Sequence, residues 1–293
     1  MSGTCGTFPA AHLQRCNLNR SSQSRIAPSS CQQQYRSCHK VTTRAQGTSN
    51  PSMPAAVQRE VLTKRERLKL DTNDDLSFYD QPRIVQHVDD TFRRKVTQLY
   101  RQSIPANGAV LDLMSSWVSH LPEDVAYRLV VGHGMNAQEL RRNKRLDRFF
   151  IRDFNKEPSN WAEKDNTFDA VVCCVSVQYM QQPECVFAEI QRVLKPGGVC
   201  IMTFSSRLFY SKAIQGWRDN SAFGRVSLVK QYFQCVKGFT AARVVTEVDV
   251  SSKPPNVWAA LQDRVTKLLS GAAQQDPFYA VLAYKEAVLA YKE

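Results

Sequence analysis

The sequence predicts an α/β fold, a doubly wound and mostly parallel sheet of seven strands with helices on both faces. Three observations predict it. Short apolar runs alternate with amphipathic helical stripes from residue 109 onward, an order that gives parallel strands joined by helical crossovers. A Pro196-Gly197-Gly198 turn ends one helical stripe just before the next apolar run, where a helix must stop and the chain re-enter a sheet. The 293 residues, 43% of them hydrophobic, suffice for one full-sized domain with extensions.

The elements follow in order. Residues 1–60 are rich in Ser, Gln and Arg and hold no sustained apolar period; Glu60 to Asp75 is charged and reads as a short solvated helix. Ile84, Val85, Val88, Phe92, Val96, Leu99 and Tyr100 recur at three-and-four spacing, which predicts one amphipathic helix in a lead-in over 61–105. Seven strands are expected, at Ala109–Met114, Leu129–Val131, Phe149–Arg152, Ala170–Val175, Val199–Phe204, Arg243–Val250 and Phe278–Tyr284. Asn136-Ala137-Gln138-Glu139 has capping-box spacing and opens a helix after the second strand. Val186–Leu194, Leu208–Trp217, Val226–Phe233 and an Asn256-capped stripe through Leu269 read as further helices. Residues 106–286 form the expected domain, and Ala287–Glu293 repeats Ala280–Glu286 residue for residue, too short a unit for a structural repeat.

Charge is uneven. Residues 1–59 contain no Asp or Glu but six Arg and Lys40, so they hold +7 of the formal +12. The folded part is only mildly basic, and it has no Lys/Arg run interleaved with aromatics, so nucleic-acid binding is not expected. The acid-free leader has the composition of an organellar transit peptide, and Val41-Thr42-Thr43-Arg44-Ala45 resembles a stromal processing site. The expected destination is the chloroplast, with the mitochondrion as alternative. No apolar run is long enough to span a membrane. Nine cysteines stand outside any CxxC or zinc-like spacing, so no metal is expected, and the last five read as reduced, mostly buried small hydrophobes.

In an open α/β sheet, ligands bind beyond the carboxyl ends of the strands at the switch point. That rule nominates the segments after Met114, Val131, Arg152 and Val175. Phe168-Asp169-Ala170-Val171-Val172, Cys173 to Met180, Pro183 and Arg192-Val193-Leu194-Lys195-Pro196-Gly197-Gly198 resemble the type-11 group of class I S-adenosylmethionine-dependent methyltransferases. Phe78-Tyr79-Asp80, Pro82-Arg83, His87, Asp89-Asp90, Val110-Leu111-Asp112-Leu113 and Ser115 to His120 resemble a narrower plant, algal and cyanobacterial subgroup without an assigned acceptor. The resemblance covers about 200 residues and implies a Rossmann-like methyltransferase fold with S-adenosyl-L-methionine as cofactor.

Residue by residue, the resemblance implies that Asp112 holds the methionine part of the cofactor and that Asp153 and Phe154 take the adenine. Cys174 and Val175 would line the methyl region. The family's glycine loop is replaced by Ser115-Ser116-Trp117-Val118-Ser119, and Gly134 stands where an acid usually binds the ribose hydroxyls. Met135 is then expected to pack on adenine and Asn136 to bond a hydroxyl, and Trp117 to pack on the preceding helix. The family's Asn-Pro-Pro-Tyr-type motif is absent after Val172, which favours a small-molecule acceptor over nucleic acid or protein amide. Methyl transfer is an in-line displacement in which alignment supplies much of the acceleration. His87 and His133 are the candidate bases or orienters, with Asp89, Asp90, His120, Tyr79 and Tyr179 as further acceptor-side candidates. The alternative function is a catalytically degenerate member of the fold that binds or scaffolds; a dehydrogenase is disfavoured because no G-x-G-x-x-G follows Leu113.

Overall fold

A computed structural model describes residues 56–250 and 275–287. The period-2 pattern of the apolar runs becomes two cores. Along the strands, Leu111, Leu113, Val131, Val171, Cys173, Cys200 and Met202 point to one face. Val110, Val130, Ala170, Val172, Val199 and Ile201 point to the other. The strands are β1 (Ala109–Leu113), β2 (Leu129–Gly134), β3 (Arg148–Ile151), β4 (Phe168–Cys174), β5 (Leu194–Phe204), β6 (Arg243–Val245) and β7 (Tyr279–Tyr284). They form one seven-stranded sheet in the order β3-β2-β1-β4-β5-β7-β6. β1 to β5 pair in parallel, and β7 runs antiparallel to β5 and β6. Every residue of β1 is buried, as the middle strand of a sheet covered on both faces must be.

The helices are α1 (Asp75–Phe78), α2 (Asp90–Ser103), α3 (Ala137–Arg142), α4 (Pro183–Val193), α5 (Gln215–Arg218) and α6 (Ala222–Gln234), with a 3-10 turn at Val177–Tyr179. α2 buries Phe92, Val96, Leu99 and Tyr100 against the sheet, while Val186, Phe187 and Ile190 of α4 and Val229, Tyr232 and Phe233 of α6 fill the opposite core. Pro183 opens α4 at a position that needs no amide donor. Cys173, Cys174, Cys185, Cys200 and Cys235 are free, and all but Cys174 are buried. Among the described residues no helix is long and apolar enough to cross a membrane.

Three expected helices differ. Glu60–Asp75 does not form the expected helix: apart from one turn, in which the Arg67 and Leu68 amides donate to the Thr63 and Arg65 carbonyls, and the start of α1 at Asp75, its backbone bonds run outward. The amides of Val61 and Leu62 donate to Glu184, and the carbonyls of Glu66 and Leu68 accept from Gly216 and Gln215. The α2 stripe starts late: Asp89 caps the helix by accepting the Phe92 amide at 2.7 Å, so residues 84–88 remain irregular despite their spacing. Leu208–Trp217 reduces to α5, since the Phe209 amide donates to the Tyr179 hydroxyl and the Ile214 amide to the Gln178 carbonyl. The strand expected over Arg243–Val250 is ordered as β6 for three residues only. The predicted helix after Asn256, the leader through residue 55, and the repeated tail from residue 288 lie outside the described residues.

These departures build a strap. Residues 56–88 cross the carboxyl edge of the sheet, from a bridge between Val57 and Val236 to a contact of the Arg83 amide with Glu139 on α3.

Candidate cofactor and acceptor site

The strand order reverses between β1 and β4, and a cavity of about 290 Å³ opens at that point. The strap and the Arg207–Phe209 loop roof it. All twelve residues named above as catalytic or cofactor-binding stand in its wall. They differ in what their polar atoms already hold.

Asp112 sits at the end of β1, and its Oδ2 accepts the hydroxyls of Ser115 at 2.7 Å and Ser119 at 2.5 Å. Burial pushes its carboxyl up to about 6, against the pull of the Ser119 and Ser115 hydroxyls. Asn143 supports Ser119 through a 3.0 Å bond and also donates to the Ser116 carbonyl. The serine loop is thus a hydrogen-bonded cradle with the acid at its centre.

The missing loop glycines have a structural consequence. Met114 adopts φ 53° and Val175 φ 46°, left-handed conformations that cost about 1–3 kcal/mol for residues with side chains. His133 holds the first of them. Its Nδ1 accepts the Met114 amide at 3.1 Å, its carbonyl accepts the Ser115 amide at 2.7 Å, and its Nε2 donates to the Arg152 carbonyl at 2.9 Å. Burial drives its pKa down to about 3. The ring stacks on Phe154 at 3.7 Å, and Phe154 stacks in turn on Trp161 at 4.6 Å. His133 therefore has no nitrogen left for proton transfer. The sequence reading of it as a base is corrected to a role in bracing the loop, and Phe154 contributes to that brace.

Asn136 is committed as well. Its Oδ1 accepts the Gln138 and Glu139 amides, and its Nδ2 donates to the carbonyls of Tyr79 and Asp80. It caps α3 and ties down the strap, with all of its amide bonding used, which corrects its assignment to a ribose hydroxyl. Half of the expected capping box is present, since Glu139 does not return to the cap. Gly134 is required where it stands: a Cβ there would meet the Ser115 carbonyl oxygen at 2.6 Å. The Trp117 indole N–H donates to the Val85 carbonyl, in the irregular segment that precedes α2, and joins loop to strap.

Beyond the end of β3, Asp153 is buried and accepts the Asn155 amide at 2.9 Å. Burial raises its carboxyl pKa. Cys174 has its thiol pushed up to about 12 by burial, so it lines the wall as a neutral group.

His87 differs from His133. It lies on the strap at the cavity mouth, with its ring edge-on to Phe209 at 5.6 Å. Among the described residues neither of its nitrogens has a hydrogen-bond partner. Partial desolvation holds it below the ordinary imidazole range, so it is neutral at pH 7. His120 also lines the cavity, neutral, with its pKa pushed down to about 4 by burial. Asp89 and Asp90, by contrast, serve the start of α2. Tyr79, Tyr179 and Phe209 pack edge-on or stacked at 6.1–6.4 Å and give this end an aromatic wall.

Sequence reasoning missed two groups. Arg83 lays its guanidinium over Phe78, Tyr79 and Phe209 at 4.4, 5.7 and 5.2 Å and pins the strap to the loop after β5. Glu139, read only as half of a capping box, turns its carboxylate into the cavity wall. Nothing in local spacing separates a capping Glu from one that faces a ligand.

Residues 129–202 match the methyltransferase domain family known as Methyltransf_11. The match runs from β2 into β5 and leaves out β1 and its glycine-free loop. No curated protein matches the chain. Among solved structures, an S-adenosylmethionine-dependent methyltransferase from Mesorhizobium loti is similar, with 13% identity and a TM-score of 0.41 over 64% of this chain and 96% of that one. Haemonchus contortus phosphoethanolamine N-methyltransferase 2, in complex with S-adenosyl-L-methionine, has 14% identity and a TM-score of 0.40 over 67% and 53%. The [4+2]-cyclase SpnF has 17% identity and a TM-score of 0.42 over 70% and 89%. Among the described residues no cluster of His, Cys, Asp and Glu could hold a metal ion.

Proposed function

We propose that the chain is an S-adenosylmethionine-dependent methyltransferase acting on a small, partly apolar molecule, with His87 as the proton acceptor. The observation that carries this reading is one cavity at the switch point whose wall holds Asp112, Glu139 and Asp153 together with a free, neutral His87. The methyltransferase-domain match over residues 129–202 supports the same reading.

The residues present suit the cofactor. Asp112 faces the methionine end, where an ionised carboxylate attracts an ammonium group. Asp153 faces the adenine end, where it accepts from the exocyclic amine. Met135 and the β4 end, Cys174 and Val175, supply apolar contact between them. The bound cofactor supplies an activated methyl group on a sulfonium. His87 would take the proton of a hydroxyl or amine acceptor as that atom bonds to the methyl carbon and the carbon–sulfur bond opposite it breaks, with a neutral thioether as the leaving group. The aromatic wall of Tyr79, Tyr179 and Phe209 would exclude water and orient an apolar acceptor.

The test is incubation of the full chain with methyl-labelled cofactor and a plastid extract, with a mitochondrial extract as the second arm. A labelled small molecule is expected, and His87→Ala should slow its formation by about 10²–10⁴-fold, the usual range for loss of a general base. Label confined to protein or nucleic acid, or an unchanged rate in His87→Ala, contradicts the proposal.

A further inference from the structure

We propose that Glu139 has taken over the ribose-binding role that the end of β2 cannot fill, and that through it cofactor binding fastens the strap. This rests on the cofactor reading above and goes beyond it.

The usual position for such an acid is Gly134, and the fold blocks it. A side chain there would collide with the Ser115 carbonyl oxygen at 2.6 Å and press on Leu140 Cδ1 at 3.2 Å. Asn136, the next candidate, has its whole amide engaged. Glu139 lies five residues after Gly134, in the first turn of α3, is 9% exposed and lines the cavity.

Its carboxylate is half used. Oε1 accepts the Arg83 amide at 2.6 Å, and Oε2 accepts the Ser116 hydroxyl at 2.5 Å. Each carboxylate oxygen offers two acceptor positions, so one remains on each. Two neighbouring acceptor positions on one rigid carboxylate match the two adjacent hydroxyls of a ribose, and charge-assisted bonds of this kind are the strong ones. The bonds already made join three parts: the loop after β1 through Ser116, the helix α3, and the strap through Arg83. The strap also carries His87. A ribose held on Glu139 therefore fixes the acceptor of the Arg83 amide and with it the mouth of the acceptor chamber.

The experiment uses the full chain with S-adenosylhomocysteine and its 2′-deoxy analogue, titrated calorimetrically. The wild type should bind the deoxy analogue about tenfold more weakly, as expected for one lost charge-assisted bond. The isosteric Glu139→Gln should bind S-adenosylhomocysteine about tenfold more weakly and discriminate the two ligands by less than about threefold. Hydrogen exchange at the Arg83 amide should slow when S-adenosylhomocysteine binds the wild type, and should be fast and unresponsive in Glu139→Ala. A Glu139→Gln protein that keeps full discrimination overturns the ribose assignment. Slowing in Glu139→Ala equal to that of the wild type overturns the coupling to the strap. If the wild type binds neither ligand, the cofactor reading itself falls, a result distinct from either.

Discussion

At the scale of single residues, the site depends on which polar groups are free. His87 and His133 look alike in the sequence, each a histidine near a predicted binding segment. Only the fold shows that His133 spends its ring on Met114 and Arg152 while His87 remains available. Asp112 is the opposite case. The family resemblance marked it as a site residue, and its buried, serine-capped carboxyl has its pKa raised to about 6. The sign of the consequence follows from linkage. In the free protein this group favours folding fully below its unfolded pKa, and that contribution is lost as the pH rises through about 6. Ligand binding has the opposite slope, because an ammonium group prefers the ionised form. Affinity for S-adenosylhomocysteine should therefore be about tenfold lower at pH 5 than on the plateau above pH 7. Asp112→Asn should bind weakly at every pH and flatten the profile. A wild-type profile that is flat from pH 5 to 7 contradicts the role given to Asp112.

At the scale of elements, strands were easier to read than the strap. β1, β2, β4, β5 and β7 are apolar runs bounded by turn residues, and their pattern is local. The strap's conformation is fixed by partners far along the chain. Glu184, 1% exposed, accepts the Val61 and Leu62 amides and a two-pronged Arg67 guanidinium, both prongs at 2.8 Å, from more than 100 residues away. Burial alone would raise the Glu184 pKa, but Arg67 and these amides hold it below the usual range. Helical spacing at 84–88 and 208–217 likewise yielded to the Asp89 cap and to tertiary bonds with Trp117 and Tyr179. Glu184→Ala leaves the Arg67 charge without its partner and should lower unfolding free energy by about 3–5 kcal/mol. Urea unfolding measures this. A loss below about 1 kcal/mol, the value of an exposed pair, would show that the strap is not anchored there.

At the scale of the molecule, a mostly parallel seven-stranded sheet and the position of the cavity followed from strand–helix alternation and the switch-point rule; the order of the strands in the sheet did not. Nor did the atypical cradle. Its sequence shows only missing glycines and a missing acid. The compensation lies in groups that meet across the fold: the His133 ring bracing Met114, the Ser115 backbone carbonyl standing over Gly134, and Glu139 lining the cavity. Three carboxylates, Asp112, Glu139 and Asp153, line one cavity beside this cradle, and the proposed function is that a ligand is held at that point. Calorimetric titration of the full chain with S-adenosyl-L-methionine and S-adenosylhomocysteine, paired with thermal unfolding, tests this most directly. The account predicts saturable one-to-one binding and a melting temperature that rises with ligand concentration. Absence of both heat and stabilisation at about millimolar ligand, a concentration at which even weak sites fill, would contradict it.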